Sequence, residues 1–198
     1  MKAPAEFKHS YHHGDLQAAL IRAGLTLLEA RDADDLALRE VARSVGVSAA
    51  SVYRHFPNKE ALLQALAAEG LKRLGEAQRA ASDTAGGGSA GFAATGRAYV
   101  AFALANPALF RLIFSSAVPE PAGGPSEKED DASSLLMEFA ASMAGRANAK
   151  EARKIATQAW ALVHGLAVLI LDKRLPNDPN LVASVIDKSV SQMRTGRS

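Results

Sequence analysis

Cysteine is absent from the 198 residues of this chain, which excludes disulfides, thiolate nucleophiles and thiolate metal ligands. Long hydrophobic runs are also missing. The longest, Trp160 to Leu171, has 12 residues and is too short to span a bilayer. Residues 1–16 are polar and rich in histidine, unlike the apolar core of a signal peptide. We therefore expect a protein of a reducing cytoplasm that has no membrane partner.

The sequence has little that would support catalysis. Residues 87–91 (GGSAG) match the nucleophile elbow G-x-S-x-G, and Gly86, Gly88 and Gly91 match the dinucleotide fingerprint G-x-G-x-x-G. Both chemistries need a β-strand immediately before the turn. A helical pattern and Asp83-Thr84-Ala85 precede this tract, so we interpret residues 83–91 as a linker. We expect no enzyme activity, no catalytic residue and no cofactor.

Apolar residues recur with helical periodicity along the chain. Hydrophobic residues make up 48% of the sequence, which is enough to form a sizeable core. Leu16, Leu20, Ala23 and Leu27 define the first helical face, and Asp15 is the predicted N-cap. Further helices are predicted at 39–45, 48–55, 58–81, 92–105, from Pro107, 135–147, 150–171 and 180–193, with a long loop at 115–134. No alternating strand pattern appears, so the predicted fold class is all-α.

Charge is balanced overall, at +2, but it is uneven along the chain. Residues 36–59 contain four cationic side chains and one acidic side chain, Glu40. A local basic surface of this kind suits phosphate, although an ordinary solvated face gives the same pattern. The cationic residues of this stretch are Arg39, Arg43, Arg54 and Lys59.

Two short helices in this basic stretch have the pattern of a helix-turn-helix. Gly46 permits the left-handed turn between them, and small or apolar residues at Val41, Ala42 and Val52 can pack the helices together. The second helix has an outer face of short, polar or basic residues, as a helix in a DNA major groove requires. A purely structural helical hairpin is the alternative. The outer residues are Ser48, Ala49, Ser51, Arg54 and His55.

The stretch LALREVARSVGVSAASVYRHFPNKEALL resembles the DNA-binding motif of TetR-family transcriptional regulators. The matching elements are Glu40-Val41-Ala42, Gly46-Val47-Ser48, Tyr53-Arg54-His55-Phe56 and Lys59-Glu60-Ala61-Leu62, and YHHGDLQAALIRAGLTLLEA resembles the family's first helix and arm. The resemblance implies a homodimeric regulator, more a repressor than an activator. It implies a three-helix DNA-binding domain at 11–57, with its motif at about 36–56, and a helical domain at 58–198 that binds a small-molecule effector and dimerises. A helical small-molecule-binding module without DNA-binding function is the alternative.

The resemblance also implies roles for individual residues toward a double-stranded DNA operator. Arg39 is expected at the backbone or a base edge, and Arg54 at the DNA. Lys59 is expected on phosphate, together with backbone N–H groups of the fourth helix. Ala37 departs from the family, in which Ser or Thr usually caps this helix. The remaining expected contacts are Ser48, Ala49, Ala50 and Ser51 toward bases or the nearest backbone, and Tyr53 and His55 toward phosphates.

Histidines in the N-terminal arm allow more than one interpretation. His9, His12 and His13 could ligate a metal ion, could lie in an arm along the DNA backbone, or could belong to a disordered tail. We favour the arm and predict no metal site.

Trp160 and His164 lie four residues apart, and WALVHGL resembles the "WHG" signature of one TetR subgroup. His164 is either a satisfied core histidine or part of a ligand pocket. Phe102, Phe110, Phe114 and Met137 are candidate pocket walls, with simple core as the alternative. As in the family, the last helix and the helix of Trp160 are expected to form a four-helix dimer seam. The predicted seam residues are Val163, Leu181, Val182, Val185, Ile186, Val190 and Met193.

Overall fold

The computed structural model describes residues 13–115, 132–144 and 148–195. Within these ranges the regular elements are helices and no strand occurs, which confirms the all-α class. The predicted arm residues His9 and His12 and most of the predicted loop lie outside the described ranges. The helices are α1 (His13–Leu28), α2 (Leu38–Val45), α3 (Ala49–Tyr53), α4 (Lys59–Thr84), α5 (Gly88–Ala105), α6 (Pro107–Ile113), α7 (Ala132–Ala144), α8 (Ala149–Leu171) and α9 (Pro179–Thr195), with a 3-10 turn at Ala33–Asp35.

The chain divides into two compact units, Met1–Leu66 and Ala67–Ser198. The division falls within α4, later than the boundary predicted after residue 57. The reason is that the start of α4 packs into the N-terminal unit. A Cβ built on Gly24 of α1 would lie 2.9 Å from a methyl of Leu66, so a larger residue there would require the buried Leu66 side chain to shift.

Helix ends in the N-terminal unit follow local chemistry. Gly46 ends α2 with φ 74°, and the Ser48 hydroxyl caps α3 by accepting the N–H of Ser51. The Asn58 side chain caps α4 by accepting the N–H of Ala61 at 2.8 Å. The predicted left-handed turn at Gly46 is confirmed. The predicted cap at Asp15 is wrong, because α1 already begins at His13.

The glycine tract is a tight helix-to-helix turn rather than a long linker. Helix α4 continues to Thr84 and α5 begins at Gly88, so the predicted break at 83–91 shrinks to three residues, 85–87. Glycine makes this possible because Gly86, Gly87 and Gly88 all have positive φ, between 57° and 78°. Since α4 precedes the tract, neither glycine motif has the strand that its chemistry needs.

The C-terminal unit is built around α5, which packs against α8 and α9. Gly96 lets the three helices approach, because a Cβ there would lie 3.2 Å from both Val163 and Ile186. Phe92 of α5 stacks on Phe139 of α7 with ring centroids 3.6 Å apart. The main core cluster contains Phe92, Ala93, Val100, Ala159, Leu166, Ile170, Val182, Ile186 and Val190.

Helix α8 contains the apolar run 160–171 and extends it at the N-terminal end to Ala149. It has 23 residues and a window of mean hydropathy 1.5, which is enough by length and composition to cross a membrane. In the structure it packs against α5, α7 and α9. One of its sides is buried in that packing, including Ile155, Leu166 and Ile170. These contacts are those of a core helix.

Candidate functional site

The outer surface of the helix-turn-helix is formed by the side chains of α3 and its flanks that point away from the core. Val52 is fully buried and anchors the inner face of α3, while Val41 and Ala42 are buried on α2. Of the predicted DNA contacts, the exposed residues are Arg39, Ser48, Ala50, Tyr53 and Arg54, and the half-buried residues are Ala49, Ser51, His55 and Lys59. The predicted DNA-contacting residues therefore lie on α3, which is short and exposed, and on the segments next to it.

The Ser48 hydroxyl is already engaged in the structure. Its oxygen accepts the Ser51 N–H at 3.2 Å, and the two hydroxyls share a hydrogen bond of 2.9 Å. A hydroxyl has one donor and two acceptor sites, so each serine keeps capacity for another partner. Ser48 thus supports α3 in addition to any contact that it makes with DNA.

Arg31, which the sequence did not indicate, forms an ion pair with Glu40 of α2. Its guanidinium binds the carboxylate of Glu40 at 2.8 Å, and both side chains are about one-third exposed. Glu40 is the single acidic residue of the basic stretch 36–59. Within the described ranges no ion pair engages Arg39 or Arg54. The pairing partly neutralises Glu40 and leaves those arginines available for phosphate. No sequence pattern indicates the ion pair between Arg31 and Glu40, because the two residues are nine positions apart and Arg31 lies outside the helices.

Lys59 makes a contact that the sequence did not predict. Its ammonium donates to the backbone carbonyl of Asp34, joining the start of α4 to the 3-10 turn. An ammonium has three donors, so this bond leaves the others for a phosphate. The predicted phosphate contact stays a prediction, and the structure adds a positioning contact.

A second candidate site lies in the C-terminal unit, where several aromatic rings surround one imidazole. His164 of α8 lies 5.0 Å from Phe114, 5.5 Å from Phe110 and 6.0 Å from Trp160, measured between ring centroids. The Tyr99 hydroxyl hydrogen-bonds to His164 Nδ1 at 2.9 Å and accepts the Trp160 indole N–H at 3.3 Å. We call Tyr99, Phe110, Phe114, Trp160 and His164 the aromatic cluster.

Burial favours the neutral form of both titratable rings of the aromatic cluster, Tyr99 and His164. It raises the pKa of Tyr99 far above its usual value, which the hydrogen bond from Trp160 opposes only in part. It lowers the pKa of His164 below its ordinary value of 6.5. No charged group contributes to either shift. The cluster is therefore a polar but uncharged environment.

The predicted pocket residues separate into three groups. Phe110, Phe114, Trp160 and His164 come together, and Phe102 packs at the edge of their core cluster. Met137 lies on α7 with 42% of its surface exposed, outside the aromatic cluster. Tyr99 was missed, because a single tyrosine in an apolar helical pattern gives no sign of a partner 65 positions away.

The predicted dimer seam stays a prediction, and several of its residues are covered within the single chain. Val182, Ile186 and Val190 are buried inside the single chain, because the apolar stripe of α9 packs against α5 and α8. Val163, Val185 and Met193 are partly buried against the same core. Leu181 is half-buried at the start of α9. On α8, the exposed large apolar side chains are Trp160 and Leu169, at 46% and 43%.

Comparison with known proteins matches both units. Residues 20–66 match the family described as "Bacterial regulatory proteins, tetR family", and residues 92–193 match "Tetracyclin repressor-like, C-terminal domain". The HTH-type transcriptional regulator Rv1816 of Mycobacterium tuberculosis is 32% identical over 106 residues. That match covers 52% of this chain and 45% of Rv1816, so it spans less than half of the relative's length.

Two solved structures share the fold over nearly the whole chain. A protein with unknown function from Rhodococcus sp. RHA1 is 33% identical, with a TM-score of 0.65, and the match covers 96% of this chain and 98% of that one. The TetR family repressor AlkX from Dietzia sp. strain DQ12-45-1b is 17% identical, with a TM-score of 0.57 and coverage of 93% and 98%. At that identity, the second likeness shows the fold alone.

Proposed function

The chain belongs to the TetR family of bacterial transcriptional regulators, and from this premise we propose that it is a cytoplasmic, ligand-responsive repressor that binds a near-palindromic operator as a homodimer. Members of this family are DNA-binding regulators and not enzymes. The observation that carries the proposal is the exposed face of α3, which is flanked by Arg39 and Arg54. Among the described residues, no carboxylate forms an ion pair with either arginine.

The geometry of this surface suits a duplex. A short helix with small side chains, such as Ala50 and Ser51, can approach base edges in the major groove. Tyr53, Arg54 and Lys59 follow at the end of α3 and the start of α4, where cationic and hydroxyl groups can hold the phosphate backbone. In this arrangement α3 reads the sequence and its flanks fix the register.

We expect Arg54→Ala to weaken binding to the operator duplex, defined as the duplex that the wild-type protein enriches from a random pool. Loss of one phosphate contact in each of two protomers should lower the slope of log K against log[salt] by about 2. Affinity should fall by a similar factor on specific and non-specific DNA, since phosphate carries no sequence information. Fluorescence anisotropy across a salt series measures both quantities.

Arg153→Ala is the matched control, because Arg153 is an exposed arginine on α8. This substitution removes the same charge outside the DNA-binding unit and should leave the slope unchanged. An unchanged slope for Arg54→Ala would remove Arg54 from the phosphate contacts.

The dimer surface that we propose is the outer face of α8. Ala161 and Leu169 are exposed there, and a Cβ added to Gly165 would meet nothing within 4 Å. Residues at these spacings share one helical face, and small side chains allow another helix to approach closely. A two-fold dimer would place two α3 helices on two inverted half-sites, which is the basis of the palindrome proposal.

We expect Leu169→Glu to shift the protein from dimer toward monomer at micromolar concentration, because it places a charge in an apolar contact. Sedimentation velocity measures the change. Ala101→Glu, at an exposed position of α5, is the matched control and should remain dimeric. A wild-type monomer, or a Leu169→Glu dimer of unchanged affinity, would contradict the assignment of this face.

Ligand response follows from linkage between two binding equilibria. A ligand shifts the protein toward a DNA-incompetent state only by its difference in affinity for the two states. The aromatic cluster is the ligand site that we propose, because aromatic walls with a few polar groups are typical of small-molecule sites.

A further inference from the structure

The hydrogen bonds of Tyr99 define the protonation of His164. An indole N–H can only donate, so the Tyr99 oxygen is the acceptor of the bond from Trp160. Tyr99 is 3% exposed, and its own hydrogen needs an acceptor, since a buried unpaired donor is costly. His164 Nδ1, at 2.9 Å, is that acceptor.

His164 therefore has its proton on the other ring nitrogen. A neutral imidazole has one donor and one acceptor nitrogen, so an accepting Nδ1 leaves Nε2–H as a donor. The hydrogen bonds of the described residues include none at Nε2. This ring is only half-buried, and the neighbouring indole is 46% exposed, so a molecule from solvent can reach the edge of the aromatic cluster.

The surroundings of this donor favour uncharged partners. Rings of Phe110, Phe114 and Trp160 flank the imidazole, and no salt bridge of the described residues involves the cluster. A carboxylate placed here would lose hydration without gaining a cationic partner. A neutral acceptor such as a carbonyl oxygen loses less on desolvation and satisfies the N–H.

We propose that the aromatic cluster binds neutral, predominantly apolar molecules that have a hydrogen-bond acceptor, with His164 Nε2–H donating to that acceptor and the aromatic rings contacting the apolar body. Tyr99 is a positioning residue, since it holds the imidazole in the Nε2–H form. That such molecules act as effectors rests on the proposed function, whereas their binding at this site does not.

Three probes of similar size test the inference: acetophenone, ethylbenzene and benzoate, titrated at pH 7.5. Trp160 is the single tryptophan of the chain, so its fluorescence reports this site alone. We expect saturable changes, with acetophenone binding about tenfold more tightly than ethylbenzene, the ratio that one net hydrogen bond supplies. Benzoate should bind more weakly than acetophenone by about tenfold or more. N-acetyltryptophanamide controls for simple collisional quenching, which does not saturate.

His164→Phe keeps an aromatic ring and removes the donor. We expect this variant to bind acetophenone no more tightly than ethylbenzene. Its affinity for ethylbenzene should stay within about twofold of that of the wild-type protein. His164→Gln restores an N–H donor and should recover part of the preference for the ketone. A folding control by circular dichroism accompanies both variants.

Equal wild-type affinities for ketone and hydrocarbon, tightest binding of benzoate, or no saturable change with any probe would each overturn the inference. Operator binding by the wild-type protein is measured in parallel without probe. Loss of the expected probe order with DNA binding intact refutes the ligand class alone. The expected probe order without DNA binding refutes the proposed function alone.

Discussion

Glutamate in place of Ala50 is expected to reduce affinity for the operator duplex at least 100-fold, which corresponds to about 2.7 kcal/mol. Ala50 is an exposed residue of α3, the helix that we propose reads the major groove. The new side chain brings a negative charge toward phosphates in both protomers and fills space that a small residue leaves for the bases. Glutamate is a good helix former, so α3 itself should persist.

Ala80→Glu is the matched control, because Ala80 is an exposed alanine on α4 in the other compact unit. It changes the net charge of the protein equally, and we expect it to bind the operator duplex within about threefold of wild type, since it lies outside the unit that contains α3. Equal losses for both variants would mean that net charge, and not the position of α3, determines affinity. Wild-type affinity for Ala50→Glu would remove α3 from the interface.

Alanine in place of Phe110 is expected to reduce the free energy of unfolding of the C-terminal unit by about 3–5 kcal/mol. Phe110 is 2% exposed, and its ring makes an edge contact with Tyr99 at 5.7 Å and a tilted contact with Phe114 at 5.0 Å. The substitution removes these contacts and leaves a cavity beside His164. Urea unfolding followed through Trp160 fluorescence reports this unit.

Phe102→Ala is the chemically matched comparison, because Phe102 is only half-buried at the edge of the same core cluster. We expect less than half of the Phe110 loss, since fewer contacts and less buried area disappear. Equal losses at the two positions would show that Phe110 does not have the central packing role assigned to it. It would then be better described as a replaceable wall of the ligand site.

The fold was readable from the sequence where local chemistry decides structure. Gly46 ends α2 in the predicted left-handed turn, which depends only on local backbone geometry. The composition of the glycine tract predicts a linker, and this prediction is wrong. Three consecutive positive-φ glycines instead make one tight turn between two long helices.

Contacts between distant positions could not be read from one sequence. The hydrogen bond from Tyr99 to His164 depends on the packing of α5 against α8, and the pairing of Arg31 with Glu40 depends on a segment without periodicity. The apolar stripe of α9 predicts a covered face, and Val182 and Ile186 of that stripe are buried within their own chain. An apolar stripe on a helix predicts that this face is buried, but it does not indicate which surface covers it.

Selection of bound duplexes from a random pool by the wild-type protein tests the central proposal most directly. We predict enrichment of a single motif with two inverted half-sites, centred about one helical turn, or roughly 10 base pairs, apart. Enrichment of no motif, with binding that depends on salt but not on sequence, would contradict the assignment of α3 as the reading helix of a dimeric transcriptional repressor.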